Sequence, residues 1–117
     1  MSNPDFALPD PDIDETGPYA LVGQARARPG SAEELEQALV ALVASTREEK
    51  GVLQYHVHRD RADPDLFVFY EAWASLADLK EHLQMPYIQQ FLAGHQELVD
   101  GEMQVTWLKM ASPYPGA

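Results

Sequence analysis

Eight consecutive residues, Leu66–Trp73 (LFVFYEAW), are apolar at almost every position rather than at alternate ones. A strand with one face in water reads apolar at every second residue, so this run predicts a strand buried on both faces. With 117 residues the chain has material for one core and little for a second. The second buried face therefore predicts a partner subunit.

The segments around that run set the topology. Residues 19–28 (YALVGQARAR) alternate and stop at Pro29 and Gly30, which predicts a strand. Ser31, with Glu34 three residues later, predicts a capped helix with Leu35, Ala38, Leu39, Leu42 and Val43 on one face. It should close near Lys50, with Gly51 as the left-handed residue beyond its end. Residues 52–60 alternate again, Leu53, Tyr55 and Val57 on one face and Gln54, His56 and His58 on the other. The turn at 61–65 is so short that this strand and Leu66–Trp73 must pair as an antiparallel hairpin. Ser75 and Asp78 repeat the capping pattern before a stripe of Leu76, Leu79 and Leu83; Pro86 interrupts it, Tyr87, Ile88, Phe91 and Leu92 continue, and Gly94 supplies a stop. Residues 101–110 form the last strand. The order β-α-β-β-α-β predicts an α+β, ferredoxin-like fold with both helices on one face of the sheet. The other face is expected to meet its own copy in a symmetric homodimer.

Charge and composition exclude several functions. The net charge is −11, and five of the acidic residues (Asp5, Asp10, Asp12, Asp14 and Glu15) lie in a Pro-rich stretch, 1–18, that has no Lys or Arg. Such a stretch predicts an arm, loose or docked on a neighbouring subunit through Phe6, Leu8 and Ile13, ahead of a domain at 19–111 and a tail at 112–117. Neither arm nor domain has the basic stripe that a phosphate backbone requires, so nucleic acid is not an expected partner. Without cysteine there are no disulfides, thiolate metal sites or cysteine nucleophiles. The N-terminal residues lack the pattern of a secretory signal, and no apolar run approaches a membrane span, so a soluble cytoplasmic protein is expected.

The segments GVLQY (51–55), VHRD (57–60) and FVFYEAW (67–73), together with His82, Pro86, Tyr87 and Phe91 at their spacing, resemble the antibiotic-biosynthesis monooxygenase family. The resemblance spans about 19–110. It implies a dimeric α+β barrel, and for the oxygenases of that family a chemistry without metal or flavin, in which dioxygen is the co-substrate. A deprotonated dihydroxy-aromatic is itself electron-rich enough to reduce dioxygen, and the protein supplies a base, hydrogen bonds and a dry pocket. One departure is Tyr87, where many relatives have a second His. The haem-degrading branch is disfavoured, because its characteristic Asn and His positions fall near Gly23 and Leu92.

Individual residues are then weighed. His82 lies at the edge of the Leu76, Leu79, Leu83 stripe, where it serves either as a base facing a helix–sheet cavity or as a structural bridge. Trp73 packs in the core or stacks a planar substrate while aiming its indole N–H at it. Tyr87, re-aimed by Pro86, completes the catalytic candidates His82, Trp73 and Tyr87. Tyr55, His58, Phe69 and Phe91 are the substrate-binding candidates, His58 reading equally as a surface residue. His56 and His58 point the same way, but a third ligand would have to come from Glu71, His82 or His95, so no metal site is expected. The direction of His95 is left open by Gly94. The run Arg47, Glu48, Glu49, Lys50 reads as a solvated helix end.

These readings lead to a homodimeric, cofactor-independent monooxygenase of a small hydroxylated aromatic, of quinol or anthrone type. Two other classes compete: a proton-transfer enzyme or isomerase on a small carbonyl compound, and a non-catalytic small-ligand-binding dimer. The pocket lining discriminates among substrates. Apolar walls with one or two polar groups suit an aromatic, whereas Arg26, Arg28, Arg59 or Lys80 in the cavity would suit an anionic one.

Overall fold

A computed structural model describes residues 8–15 and 17–113. Four strands, β1 (Tyr19–Arg26), β2 (Val52–Arg59), β3 (Leu66–Trp73) and β4 (Gln104–Lys109), form one antiparallel sheet in the order β2-β3-β1-β4. The helices are α1 (Ala32–Val40), α2 (Val43–Thr46), α3 (Leu76–Leu83) and α4 (Pro86–Gly94), the last followed by a 3-10 turn, His95–Glu97. This is the expected ferredoxin-like α+β arrangement. Strand alternation gives the sheet two unlike faces. Leu21, Tyr55, Trp73 and their neighbours pack against Leu42, Leu79, Ile88 and Leu92, while Ala25 and Phe67 pack against Leu35 and Leu39, so every helix lies on one side.

The other face of β3 carries Leu66, Val68 and Tyr70, half-buried, and the fully buried Ala72. With Ala20, Val22 and Leu108 they make an apolar strip, bordered by Gln54, His56, His58, Gln24 and Thr106. The face is thus apolar along its centre and polar at its edges.

The capping patterns have different outcomes. Ser75 is extended (φ −153°, ψ 164°), and its Oγ accepts the Asp78 N–H at 3.1 Å and donates to Asp78 Oδ2 at 2.9 Å, so the hydroxyl caps α3 as the Ser75–Asp78 spacing predicts. Ser31 has φ −109° and ψ 8°, and its hydroxyl caps nothing. Its N–H is held by the Arg28 carbonyl at 2.9 Å, which places Ser31 inside a turn instead of in the extended conformation that aims a capping oxygen. The first helical segment also departs from expectation, because α1 stops at Val40 and the Leu42 N–H bonds the Leu39 carbonyl at 3.1 Å in a tightened turn. Gly51 fulfils its expected role, with φ +84°. It is also confined, since a Cβ there would sit 2.2 Å from Asp78 Cγ.

The described part of the N-terminal arm lies on its own domain. Leu8 packs on the core, the Tyr19 hydroxyl donates to the Pro9 carbonyl, and Asp12 pairs with Lys109. Ile13 is fully exposed, and Phe6 falls outside the described residues. The last strand is shorter than the expected 101–110, since residues 100–103 turn into it through Gly101 at φ +78°.

Candidate active site

Between the helices and the sheet lies a cleft with about 650 Å³ of empty space, part of it open to solvent. Its walls are apolar: Leu21, Tyr55, Val57 and Phe69 from the sheet, Leu79, Leu83, Ile88 and Phe91 from α3 and α4, and Val105 and Trp107 from β4. Gly23 helps to shape it, because the Phe69 ring lies where a Cβ on residue 23 would be, 2.1 Å from its nearest atoms. Beside the Tyr55 phenol, two side chains that can accept a proton line the cleft, Glu71 and His82.

His82 is 2% exposed, with the Trp73 ring 4.6 Å away and the Tyr55 ring 5.6 Å away. Its Nδ1 lies 3.0 Å from Glu49 Oε2, and the Tyr87 hydroxyl donates to the same oxygen. A carboxylate accepts only, so Glu49 holds the proton of His82 on Nδ1 and leaves the Nε2 lone pair free. Nε2 faces Glu71 Oε1 at 3.9 Å. That oxygen in turn accepts the Trp73 indole N–H at 3.0 Å. A buried polar chain therefore runs from Trp73 through Glu71 and His82 to Glu49 and Tyr87.

Burial sets the acid–base character of these groups. Glu71 is pushed up to about 7 by desolvation, which outweighs the indole N–H, and the nearby Glu49 charge adds to the rise. His82 is pushed down by desolvation, with Glu49 opposing. Burial, and then the Glu49 hydrogen bond, raise Tyr87 to about 12, while burial and Glu71 drive the Tyr55 phenol up as well. The Thr46 hydroxyl is buried close to both phenols and meets hydrogen-bond geometry with neither.

Several expected site residues meet at this cleft. His82, Tyr55, Phe69 and Phe91 line it. Trp73 and Tyr87 do not reach the walls: Trp73 is fully buried behind His82 and spends its N–H on Glu71, and Tyr87 holds Glu49 from the far side. His58 needs correction as a substrate-binding residue. It is exposed on the opposite face of β2, with Nδ1 3.2 Å from the Val68 carbonyl, because the side chains that look toward the helices are Tyr55 and Val57. His95 turns back to the Leu92 carbonyl at 2.7 Å.

Glu49, read as part of a solvated helix end, is buried, its side chain 7% exposed. The signal was present: Leu35, Leu39, Leu42, Thr46 and Glu49 follow each other at spacings of four and three. Glu71, expected only as an alternative metal ligand, is a single carboxylate inside an apolar strand, and such a placement is itself a pointer to a functional group. Among the described residues no three His, Asp or Glu side chains converge as a metal-binding set.

The basic side chains considered for an anionic substrate lie elsewhere. Arg26 pairs with Asp63, Arg28 donates to the Gln96 carbonyl, Arg59 pairs with Glu33 and Glu36, and Lys80 is exposed on α3. Among the described residues no helix is long and apolar enough to cross a membrane.

The sequence profile of the antibiotic biosynthesis monooxygenases matches residues 18–94, which hold β1 to α4 and all of the polar chain just described. The chain belongs to the antibiotic biosynthesis monooxygenase family. It is similar to a Mycobacterium tuberculosis protein named "Putative monooxygenase Rv0793", 30% identical over 93 residues that cover 80% of this chain and 91% of that one. Among solved structures it resembles PA3566 from Pseudomonas aeruginosa, 36% identical with a TM-score of 0.78, covering 82% of this chain and 96% of that one. A family protein from Deinococcus radiodurans is 28% identical with a TM-score of 0.75, covering 82% and 95%. β4, which supplies Val105 and Trp107 to the cleft, lies beyond the matched family segment.

Proposed function

We propose that this family member is a homodimeric monooxygenase that oxidises a small hydroxylated aromatic, of quinol or anthrone type, with dioxygen and without a cofactor. The observation that carries this reading is an apolar cleft lined by Glu71 and His82, two groups equipped to accept protons. Removing a hydroxyl proton makes the ring electron-rich enough to reduce dioxygen. His82 serves as base or proton shuttle at Nε2, with Glu49 stabilising the imidazolium that forms. Phe69, Phe91 and Trp107 offer flat apolar surface to the ring and keep bulk water away.

Oxygen uptake by the purified protein with a panel of quinols and anthrones, with and without chelator, tests the reading. We expect substrate-dependent uptake that the chelator leaves unchanged. Absence of uptake with every member of the panel would refute it. Two proton acceptors in one cleft also suit an isomerase that moves a proton within a carbonyl compound, and solvent deuterium appearing in such a compound without oxygen uptake would establish that reading instead.

A further inference from the structure

His82 Nε2 and Glu71 Oε1 face one another across 3.9 Å at the wall of the cleft. Both are acceptors. Glu49 fixes the ring proton of His82 on the opposite nitrogen, and Trp73 satisfies one side of Glu71 Oε1 while holding that side chain in place. The other titratable groups around Glu71 are Glu49, from the loop after α2, and Tyr55, opposite it on β2. β1 presents Leu21, and α4 presents Ile88 and Leu92. None of these carries a positive charge, and the donor among them, the Tyr55 hydroxyl, lies beside Thr46. A ligand that satisfies both must bring two donors of its own at matching spacing.

Two hydroxyls on adjacent carbons of an aromatic ring are about as far apart as two hydrogen-bonded oxygens, roughly 2.7 Å. Each can donate outward to one acceptor, with the pair splaying slightly to span the 3.9 Å between Nε2 and Oε1. Hydroxyls on opposite carbons are roughly twice as far apart and point away from each other, so only one reaches the pair. We infer that Glu71 and His82 form a two-acceptor clamp for a vicinal dihydroxy-arene, each receiving one of two adjacent hydroxyls, with Glu71 taking the first proton. In that step the substrate O–H bond breaks, an O–H bond forms on Glu71, and the electron pair stays on the substrate oxygen. His82 holds the second hydroxyl at Nε2, placed to take its proton, or to relay the one on Glu71, during turnover. The rise of Glu71 to about 7 agrees with this order, because it makes the carboxylate a stronger base than the depressed imidazole.

The inference rests on the reading of the cleft as a hydroxyaromatic site and narrows it to rings with adjacent hydroxyls, a 1,4-quinol being held by one hydroxyl only, and it is tested by binding, which needs no turnover. The probe is 4-nitrocatechol, whose neutral and ionised forms differ in absorbance, compared with 4-nitrophenol and with the 1,3- and 1,4-dihydroxy isomers of benzene alongside catechol itself. The wild-type protein is expected to bind each vicinal diol at least tenfold more tightly than its partner compounds, and to hold 4-nitrocatechol ionised at a pH where the free probe is neutral. Glu71→Gln keeps an oxygen for the Trp73 N–H but cannot take a proton. It should lose the vicinal preference and bind the probe neutral, while its affinity for 4-nitrophenol changes less than threefold. No preference among the isomers in the wild type, or an unchanged preference and spectrum in Glu71→Gln, would overturn the clamp. Should the variant fail to fold, as judged by circular dichroism, the isomer series on the wild type still decides. Oxygen uptake is scored separately, so a clamp without oxygenase activity and an oxygenase without the clamp give different results.

Discussion

A histidine that is 2% exposed and lies 4.6 Å from an indole has lost most of the water that would stabilise its cation, which is why burial lowers its pKa despite Glu49. The same packing changes what its removal does. His82→Ala should lower turnover by on the order of 10²-fold, as for loss of a general base. It should also cost about 2 kcal/mol or more in urea denaturation, because it opens a cavity against Trp73 and leaves Glu49 buried with only the Tyr87 hydroxyl as partner. A surface histidine would show the first effect without the second. Glu71 gives a pH test whose sign follows from its raised pKa. Its protonated form is favoured in the folded state, so its contribution to stability falls as pH rises from about 4.5 toward about 7. His82, with a lowered pKa, acts oppositely and gains stability as pH rises toward 6.5. The difference between Glu71→Gln and wild type isolates the first effect. It should grow in favour of the variant across that window, to a limit on the order of 3 kcal/mol, in denaturant titrations run at several pH values. A constant difference would mean that folding leaves the Glu71 pKa where it is in the unfolded chain.

At the scale of the element, local chemistry was legible wherever the backbone needed a particular residue. Ser75 before α3, Pro86 opening α4 and Gly51 ahead of β2 all act as their types suggest. Less plain, because the segment is charged, was the helical phase that runs on past the break at Leu42. The tightened turn at Leu42 carries Thr46 and Glu49 inward, so a charged run that scores as a solvated end delivers a buried carboxylate to His82. Likewise Trp73 and Tyr87, expected beside His82 at the cavity, stand one layer behind the cleft wall, because periodicity gives the face of a residue and not its depth. Two matched substitutions check the capping argument. Ser75→Ala should cost about 1 kcal/mol and Ser31→Ala close to nothing, since only the first hydroxyl caps its helix. Gly51→Ala should cost more than either, roughly 1–3 kcal/mol, because the left-handed backbone and the Asp78 side chain both oppose a Cβ.

For the molecule as a whole, the two faces of β3 assign different work to neighbouring residues. Phe69 looks into the cleft and rests over Gly23, whereas Val68 looks out from the helix-free face between Gln24 and His58. Among the described residues no helix lies above the apolar strip through Val68 and Val22, and a second copy bringing the same strip would cover both at once, polar edges meeting outside an apolar centre. Light scattering at micromolar concentration should therefore report a dimer, with an interface above roughly 1,000 Å². Val68→Asp places a charge in that interface and should yield a monomer whose far-ultraviolet circular dichroism matches the wild type. Phe69→Asp, one residue away, puts a charge against the cleft lining and should instead destabilise each subunit. A wild-type monomer would remove the dimer from the proposed function. If both variants stayed dimeric and folded, the helix-free face would not be the contact, and its apolar strip would need another explanation.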